Sequence, residues 1–185
     1  MQYSRIGEKY FAVAGFTATR EGETKRSGES FYQPGLSIDI NATYGIVIGE
    51  KYQLSISGIY SQRGKDKTLD PFTGVFGPDQ EKSAGATYFV STTLSRAIDE
   101  KSRIKGMAEY LQVNRNNFDI ADDRFIPTRQ KYTGGIGYDY ELEKGKTIST
   151  EMKYYRMVDD SVQNSSKIWY SGGVIRVFYK VAFSI

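Results

Sequence analysis

The side chains in this sequence most able to take part in catalysis or metal binding are its carboxylates, because histidine and cysteine are both absent. Without histidine, no Ser-His or Asp-His arrangement can supply a general base near neutral pH, and without cysteine there is no thiolate or disulfide chemistry. Two adjacent acid pairs, Asp122-Asp123 and Asp159-Asp160, lie in long polar loops. Such pairs can serve acid–base catalysis or bind calcium, but adjacent loop acids are usually solvating residues, and no EF-hand spacing is present. The sequence therefore predicts no enzymatic activity, no metal site and no cofactor.

A second group of charged residues lies at alternate positions of strand-like segments, where acids and bases nearly balance. Its members are Asp39, Lys105, Glu109, Asp139, Glu141, Glu151, Lys153, Arg176 and Lys180. If the segments close into a narrow barrel, we expect these side chains to form ion pairs in its lumen, because an unpaired buried charge is costly. A lumen plugged by ion pairs is the favoured interpretation for an isolated monomer. The alternative is a narrow channel whose rings of charge select small charged solutes.

Eight alternating segments position these residues. They run over residues 10–19, 36–44, 52–61, 86–94, 103–113, 132–142, 147–155 and 169–185. Segments of this length can cross a bilayer as tilted strands. Long polar loops, at about 21–30, 62–85, 114–130 and 158–167, alternate with short turns. The pattern predicts a single domain over residues 1–185, an antiparallel up-and-down meander with both termini on the short-turn side.

The composition is that of a strand-and-turn protein, with 15 Tyr, 10 Phe and 19 Gly against 4 Pro. No apolar run reaches the ~18 residues that a membrane-spanning helix needs. Only alternate residues of a membrane barrel face lipid, so a charged fraction of 25% is compatible with one. The net charge of +3 is spread along the chain, so nucleic acid is not an expected partner. Strand-like sequence follows Met1 directly, so for an exported protein we expect a mature N terminus with an added methionine.

Aromatic side chains recur at the loop-side ends of the segments, always on the apolar face. They are Tyr60, Tyr88, Tyr110, Tyr132, Tyr154 and Trp169. Tyr and Trp combine an apolar body with a polar tip, which is why a membrane–water interface selects them. We therefore expect the apolar face to point outward to lipid and the charged face to point inward, the reverse of a soluble barrel. The lipid bilayer is the first partner that this pattern predicts.

The end of the sequence resembles the C-terminal assembly signal of bacterial outer-membrane proteins, in which apolar residues alternate and an aromatic residue lies close to the end. The residues that carry the resemblance are Val177, Tyr179, Val181, Phe183 and Ile185. The family favours a terminal Phe or Trp, whereas this chain has Ile185. The eight-strand layout is also similar to small barrels of the OmpA/OmpX-like kind. The resemblance implies an all-β fold, an eight-stranded antiparallel transmembrane β-barrel in the bacterial outer membrane.

Several functions fit such a barrel. The main prediction is a non-enzymatic scaffold or anchor whose long surface loops bind a protein partner or a small solute, or else a low-conductance pore. Apolar loop residues such as Phe72 and Phe125 are expected to pack on their own loop or across the lumen rather than to grip a partner. One alternative is a subunit of a larger outer-membrane assembly. Another is a soluble lipocalin-like barrel carrying an apolar ligand, although Gly15-Phe16-Thr17 stands where that family has Gly-x-Trp. The sequence leaves the oligomeric state open.

Overall fold

Strands make up the regular structure of the chain wherever the structure describes it. The computed structural model describes residues 2–26, 29–70, 72–76, 81–83, 85–117, 120, 125–160 and 167–181. The strands are β1 (Gln2–Ile6), β2 (Tyr10–Thr19), β3 (Thr24–Arg26), β4 (Glu29–Gln33), β5 (Ser37–Ile48), β6 (Tyr52–Arg63), β7 (Lys65–Thr68), β8 (Glu81–Ser83), β9 (Thr87–Ala97), β10 (Ser102–Val113), β11 (Arg129–Glu143), β12 (Lys146–Asp160) and β13 (Lys167–Val181). Within these ranges, no helix is long and apolar enough to cross a membrane. The all-β prediction is confirmed.

Nine strands form the main sheet, in the order β1-β2-β5-β6-β9-β10-β11-β12-β13. Each strand pairs antiparallel with the next one in this order, so the chain winds up and down without a crossover. The eight strands that follow β1 coincide with the eight segments predicted from alternation. The largest difference within the described residues is at β12, which continues to Asp160. The antiparallel meander that the sequence predicts is therefore present.

The main sheet is open in the described residues, which differs from the closed eight-stranded barrel expected from the sequence. Its edges are β1 and β13, and no described pairing joins them. The alternation does not predict β1, which pairs antiparallel with β2 from Gln2, opposite Gly15, to Ile6, opposite Phe11. β1 therefore occupies the edge of β2 that closure of the eight long strands would use. Because every step is antiparallel, β1 and β13 run in the same direction, and a pair between them would be parallel.

Short turns connect the strands at one end of the main sheet, which we call the turn end; the opposite end is the loop end. Gly49 and Gly145 have φ values of 63° and 80°, which residues with a Cβ rarely adopt. Between β9 and β10, Asp99 Oδ1 accepts hydrogen bonds from the backbone N–H groups of Lys101 and Ser102, each at 2.8 Å. These bonds, above all the one from Lys101, favour the charged carboxylate and lower the pKa of Asp99. The turns are thus specified locally.

A second antiparallel sheet forms within the first two long loops, in the order β3-β4-β7-β8, and we call it the loop sheet. Its central pairing sets Tyr32 opposite Thr68 and Gln33 opposite Lys67. A strand of the first loop is therefore hydrogen-bonded to a strand of the second. The sequence predicts only polar loops here, because strands of three to five residues are too short to show a reliable alternation.

The two faces of the main sheet differ in exposure in the opposite sense to a water-soluble protein. Along β11, Tyr132, Ile136 and Tyr138 are exposed, with Ile136 at 62%, whereas Thr133 and Asp139 on the other face are half-buried. Similar alternation recurs on the neighbouring strands. We call the two sides the enclosed face and the exposed face. The sheet encloses its polar side chains and leaves its apolar ones uncovered.

Candidate functional site

Ion pairs join three neighbouring strands on the enclosed face of the main sheet. Lys105 Nζ on β10 lies 3.0 Å from Asp139 Oδ1 on β11 and 3.1 Å from Glu151 Oε1 on β12. Lys153 on β12 forms an ion pair with Glu109 on β10, and its Nζ lies 4.0 Å from Glu151 Oε2. Each of the five side chains keeps 25% or less of its accessible surface. We call these five residues the ion-pair cluster.

Two glycines of β11 allow the lysines to reach across that strand. Gly137 lies opposite Lys105 on one side and Glu151 on the other, and a Cβ at Gly137 would lie 2.5 Å from Lys105 Cε. Gly135 lies opposite Lys153, and a Cβ there would lie 2.8 Å from Lys153 Cγ. Both distances are well below the roughly 3.5–4.0 Å at which carbon atoms attract one another. The missing side chains are therefore what lets the ion-pair cluster extend from β10 to β12.

Two of the acids predicted for the lumen lie on the same face but outside the cluster. Asp39 accepts a hydrogen bond from Ser61 Oγ at 2.6 Å. Glu141 accepts one from the backbone N–H of Gly145 at 3.3 Å. Among the described residues, these carboxylates accept hydrogen bonds from neutral donors near the two ends of the sheet and form no salt bridge with lysine or arginine.

The two predicted lumen bases on β13 also lie outside the cluster. Arg176 is directly opposite Glu151 in the β12–β13 register, and its side chain is exposed. Lys180 Nζ lies 5.9 Å from the centroid of the Phe178 ring. Neither forms a salt bridge with any residue in the described ranges. The reason is their position on β13, which has a neighbouring strand on one side only.

A separate ion pair joins β11 and β12 at the loop end of the enclosed face. Arg129 Nε and Nη2 donate to the two carboxylate oxygens of Asp159 at 2.7 and 2.8 Å, a bidentate geometry. The Asp159 carboxylate is buried and held by this pair. The other acid pair considered for catalysis or calcium, Asp122-Asp123, lies outside the described residues. Among the residues that are described, no group of three or more acids is arranged to hold a metal ion.

Five of the predicted belt aromatics form a staggered line on the exposed face. Tyr60 lies opposite Tyr88 with their ring centroids 5.1 Å apart, and Tyr110 lies opposite Tyr132 with the same separation. Tyr110 is two residues nearer the turn end than the position opposite Tyr88, and Tyr154 is two residues nearer the turn end than the position opposite Tyr132. From β6 to β12, the line therefore shifts toward the turn end by an average of one residue per strand.

Trp169, the sixth predicted belt residue, lies away from this line. It is opposite Val158, whereas Tyr154 is opposite Gly173, so Trp169 is four residues closer to the loop end. The guanidinium carbon of Arg156 lies 4.0 Å from the centroid of the Trp169 ring, a cation–π contact. The indole thus marks the loop end of the exposed face, beyond the tyrosines.

A buried carboxylate organises the loop sheet, and sequence analysis does not detect it. Asp66 Oδ1 accepts hydrogen bonds from the backbone N–H of Gly35 at 2.7 Å and from Arg63 Nε at 3.1 Å, and Oδ2 accepts one from the Tyr32 hydroxyl at 2.6 Å. Arg63 Nη2 also lies 3.5 Å from Glu21 Oε2. Burial, reinforced by the Asp66 carboxylate, raises the pKa of Tyr32. Arg63 and Asp66 are three residues apart, but Tyr32, Gly35 and Glu21 come from two other segments, which no sequence spacing connects to them.

Apolar residues of the long loops divide between packed and exposed positions. In the second loop, Phe72 is 96% exposed and Val75 is 60% exposed. In the third loop, Arg115 stacks at 5.2 Å over the ring of Phe125. Asn116 Oδ1 accepts a hydrogen bond from the backbone N–H of Ile126 at 3.1 Å. The described part of the third loop therefore closes on itself, whereas the second loop presents Phe72 to its surroundings.

The predicted C-terminal assembly signal is described in part. Val177, Tyr179 and Val181 lie on the exposed face of β13, with Val177 at 70% exposure. Phe183 and Ile185 lie outside the described residues.

No protein-family model matches this sequence, and no curated protein or solved structure is significantly similar to it. The resemblance to OmpA/OmpX-like barrels thus remains an expectation that comes from the residues themselves.

The glycine gaps of β11 generate the first prediction. We expect Gly137→Val to lower the free energy of unfolding by about 1–3 kcal/mol, because its side chain would displace the Lys105 stem from the path to Glu151. Gly134→Val is the matched control, since a Cβ at Gly134 meets no atom within 4 Å. Urea titrations of both variants in detergent micelles would measure the difference. Equal losses of stability in the two variants would contradict the role assigned to Gly137.

The Asp66 network generates the second prediction. Asp66→Ala leaves the Gly35 amide, the Tyr32 hydroxyl and Arg63 Nε without their acceptor, so we expect tryptic cleavage after Lys65 and Lys67 to accelerate about tenfold or more. The unfolding midpoint of the main sheet should not change. Asp70→Ala in the same loop is the control, because the Asp70 carboxylate accepts hydrogen bonds within its own turn, from Phe72 and Thr73. If Asp70→Ala accelerates cleavage equally, Asp66 does not hold the loop sheet together.

Proposed function

We propose that this chain crosses a membrane as an antiparallel β-barrel and acts there as a non-enzymatic scaffold that presents the loop sheet. The observation that carries the proposal is the inverted exposure of the two faces of the main sheet. In water, uncovered Ile136, Ile175 and Val177 would incur a hydrophobic penalty, whereas lipid accommodates them. The enclosed charges need a lumen that keeps them away from lipid.

The line of tyrosines supports a membrane orientation. Strands rise about 3.3 Å per residue and lie about 4.8 Å apart. A shift of one residue per strand therefore brings the tyrosines to one height in the membrane when the strands tilt by about 35° from the membrane normal. This value agrees with the tilt of known barrels. Tyr132 and Tyr140 on β11 are eight residues apart, which corresponds to about 22 Å of height at that tilt. An apolar band between two aromatic levels of this spacing suits a lipid-facing surface.

The proposal requires the sheet to close, because an open edge in lipid leaves backbone groups without hydrogen-bond partners. If β1 leaves β2, the freed edge can pair antiparallel with β13 and produce eight strands. If β1 stays, closure involves nine strands and a parallel pair. We favour eight, because β1 offers five residues for pairing whereas β2 offers ten and β13 offers fifteen.

The ion-pair cluster favours a plugged lumen over an open pore. Opposite charges contact one another directly across three strands, and an eight-stranded barrel is narrow enough for its own side chains to fill. A soluble carrier of an apolar ligand is less consistent with this interior, since the cluster is charged. We therefore assign the binding function to the loop end, where Phe72 is available to a protein partner. The bacterial outer membrane is the location implied by the C-terminal resemblance.

The decisive experiment is refolding of the purified chain with and without detergent micelles, followed by electrophoresis of boiled and unboiled samples. We expect the chain to fold only when micelles are present, with an unboiled band of shifted mobility. A monodisperse β-protein in plain buffer would overturn it and direct attention to a soluble carrier. A subunit of a larger assembly would fold in micelles but would associate with other membrane proteins on extraction.

The depth of the exposed face generates the third prediction. Ile136 lies at the middle of β11, so we expect Ile136→Arg to cost about 2–4 kcal/mol of unfolding free energy in lipid vesicles. Leu142→Arg near the turn end should cost about 0–1 kcal/mol, because arginine there reaches the interface. Equal costs at the two positions would argue against a membrane spanning β11.

The plugged lumen generates the fourth prediction. In planar bilayers, the wild-type protein should give no discrete conductance steps. Replacing both cluster lysines, as in Lys105→Ala with Lys153→Ala, removes the cations that occupy the space and should produce steps selective for cations, because three carboxylates remain. Steps of wild-type protein whose ion preference shifts with Lys105→Glu would instead support a pore.

A further inference from the structure

An apolar groove crosses the exposed face of the main sheet. It encloses about 710 Å³, and its walls include Leu94, Ile104, Ile136, Met152 and Ile175, one residue from each strand from β9 to β13. Four of these residues, Leu94, Ile136, Met152 and Ile175, lie in one register row. A continuous apolar channel of this size accommodates a flexible hydrocarbon chain.

Gly106 leaves a gap among the side chains that line the groove. It occupies the β10 position of that register row, between Leu94 and Ile136, where every other strand contributes a side chain. A Cβ built at Gly106 has no atom within 4 Å, so the position opens directly into the groove. Unlike Gly135 and Gly137 on the enclosed face, this glycine leaves a space that no side chain of the described residues fills.

An arginine without a carboxylate partner lies at the turn end of the groove. Arg96 lines the groove, and its guanidinium carbon lies 5.6 Å from the centroid of the Tyr52 ring. No acidic residue in the described ranges forms a salt bridge with it. Between the terminal residues of the eight long strands, the exposed face carries two charges, Arg96 and Arg156. Arg156 stacks on Trp169 at the loop end. Lys105 and Glu151 also line the groove, but they pair with each other in the ion-pair cluster, which leaves Arg96 to meet an anion.

We propose that this groove binds one phospholipid with an anionic headgroup, its phosphate paired with Arg96 and an acyl chain lying over Gly106. The inference rests on the membrane-spanning function proposed above. Arginine binds phosphate oxygens through two parallel N–H donors, and its charge discriminates a net anionic headgroup from a zwitterionic one. The position of Arg96 one residue before the end of β9 sets the phosphate at the boundary of the apolar band. The charge of Arg96 and the shape of the apolar groove therefore both favour an anionic phospholipid.

Native mass spectrometry of protein refolded in neutral detergent provides the test, with phosphatidylglycerol and phosphatidylcholine added in equal amounts. We expect one phosphatidylglycerol to remain bound to the wild-type protein, with a preference of about tenfold over phosphatidylcholine. Arg96→Gln should abolish the preference, and Arg96→Lys should restore part of it. Gly106→Leu should fill the groove and lower retention of both lipids. Excess inorganic phosphate should not displace the lipid, because it gains nothing from the groove.

Matched variants separate this site from general lipid adhesion. Arg156→Gln removes the other cation of the exposed face, and Gly58→Leu adds the same side chain at a glycine outside the groove. Both should retain lipid as the wild type does. An absent preference in the wild type, or equal effects of Arg96→Gln and Arg156→Gln, would overturn the inference while the unboiled band of shifted mobility still upholds the membrane barrel. Failure to fold in micelles would overturn both.

Discussion

The charged side chains on the enclosed face of the main sheet must be paired with one another, and the rest of the structure depends on this constraint. Three carboxylates and two lysines share the enclosed face of β10, β11 and β12, and each lysine reaches its distant partner only by crossing β11. Gly135 and Gly137 provide the crossing points. A strand that carries side chains at these positions would force the lysines away from their partners. The composition of β11 is therefore set by the side chains of its neighbours, more than by its own strand propensity.

The connections at the two ends of the main sheet are held by different kinds of contact. At the turn end, glycines with positive φ and the Asp99 carboxylate specify short connections from local sequence alone. At the loop end, Asp66 joins residues from two loops and from the end of β6, and the bidentate pair of Arg129 and Asp159 holds β11 to β12. Long loops gain order through such buried polar contacts, because they contribute little apolar burial of their own. In the scaffold proposed above, this order suits the loop end to binding a partner.

The exposed face combines features that a uniform lipid contact does not require. A line of tyrosines sets its level, and the space at Gly106 breaks the row of apolar side chains beneath it. Arg96 adds a cation where that space ends. Each of these features makes one region of the exposed face chemically different from the regions beside it. In the scaffold that we propose, the loop end contacts proteins and the exposed face contacts specific lipids.

The amino-acid sequence is enough to predict the eight long strands, their alternation and which face of each is apolar, because a period of two is visible in any strand with one apolar side. It also selected all five residues of the ion-pair cluster. It did not separate them from Asp39, Glu141, Arg176 and Lys180, since pairing depends on strand register and on which strand lies beside which. Only the folded structure shows that β1 occupies the edge of β2, that Asp66 joins two loops and that Trp169 lies closer to the loop end than the line of tyrosines. The Asp66 contacts join residues 31 and 34 positions apart in the chain. The positions of β1 and Trp169 depend on strand register, which a local alternation of apolar and polar residues does not specify.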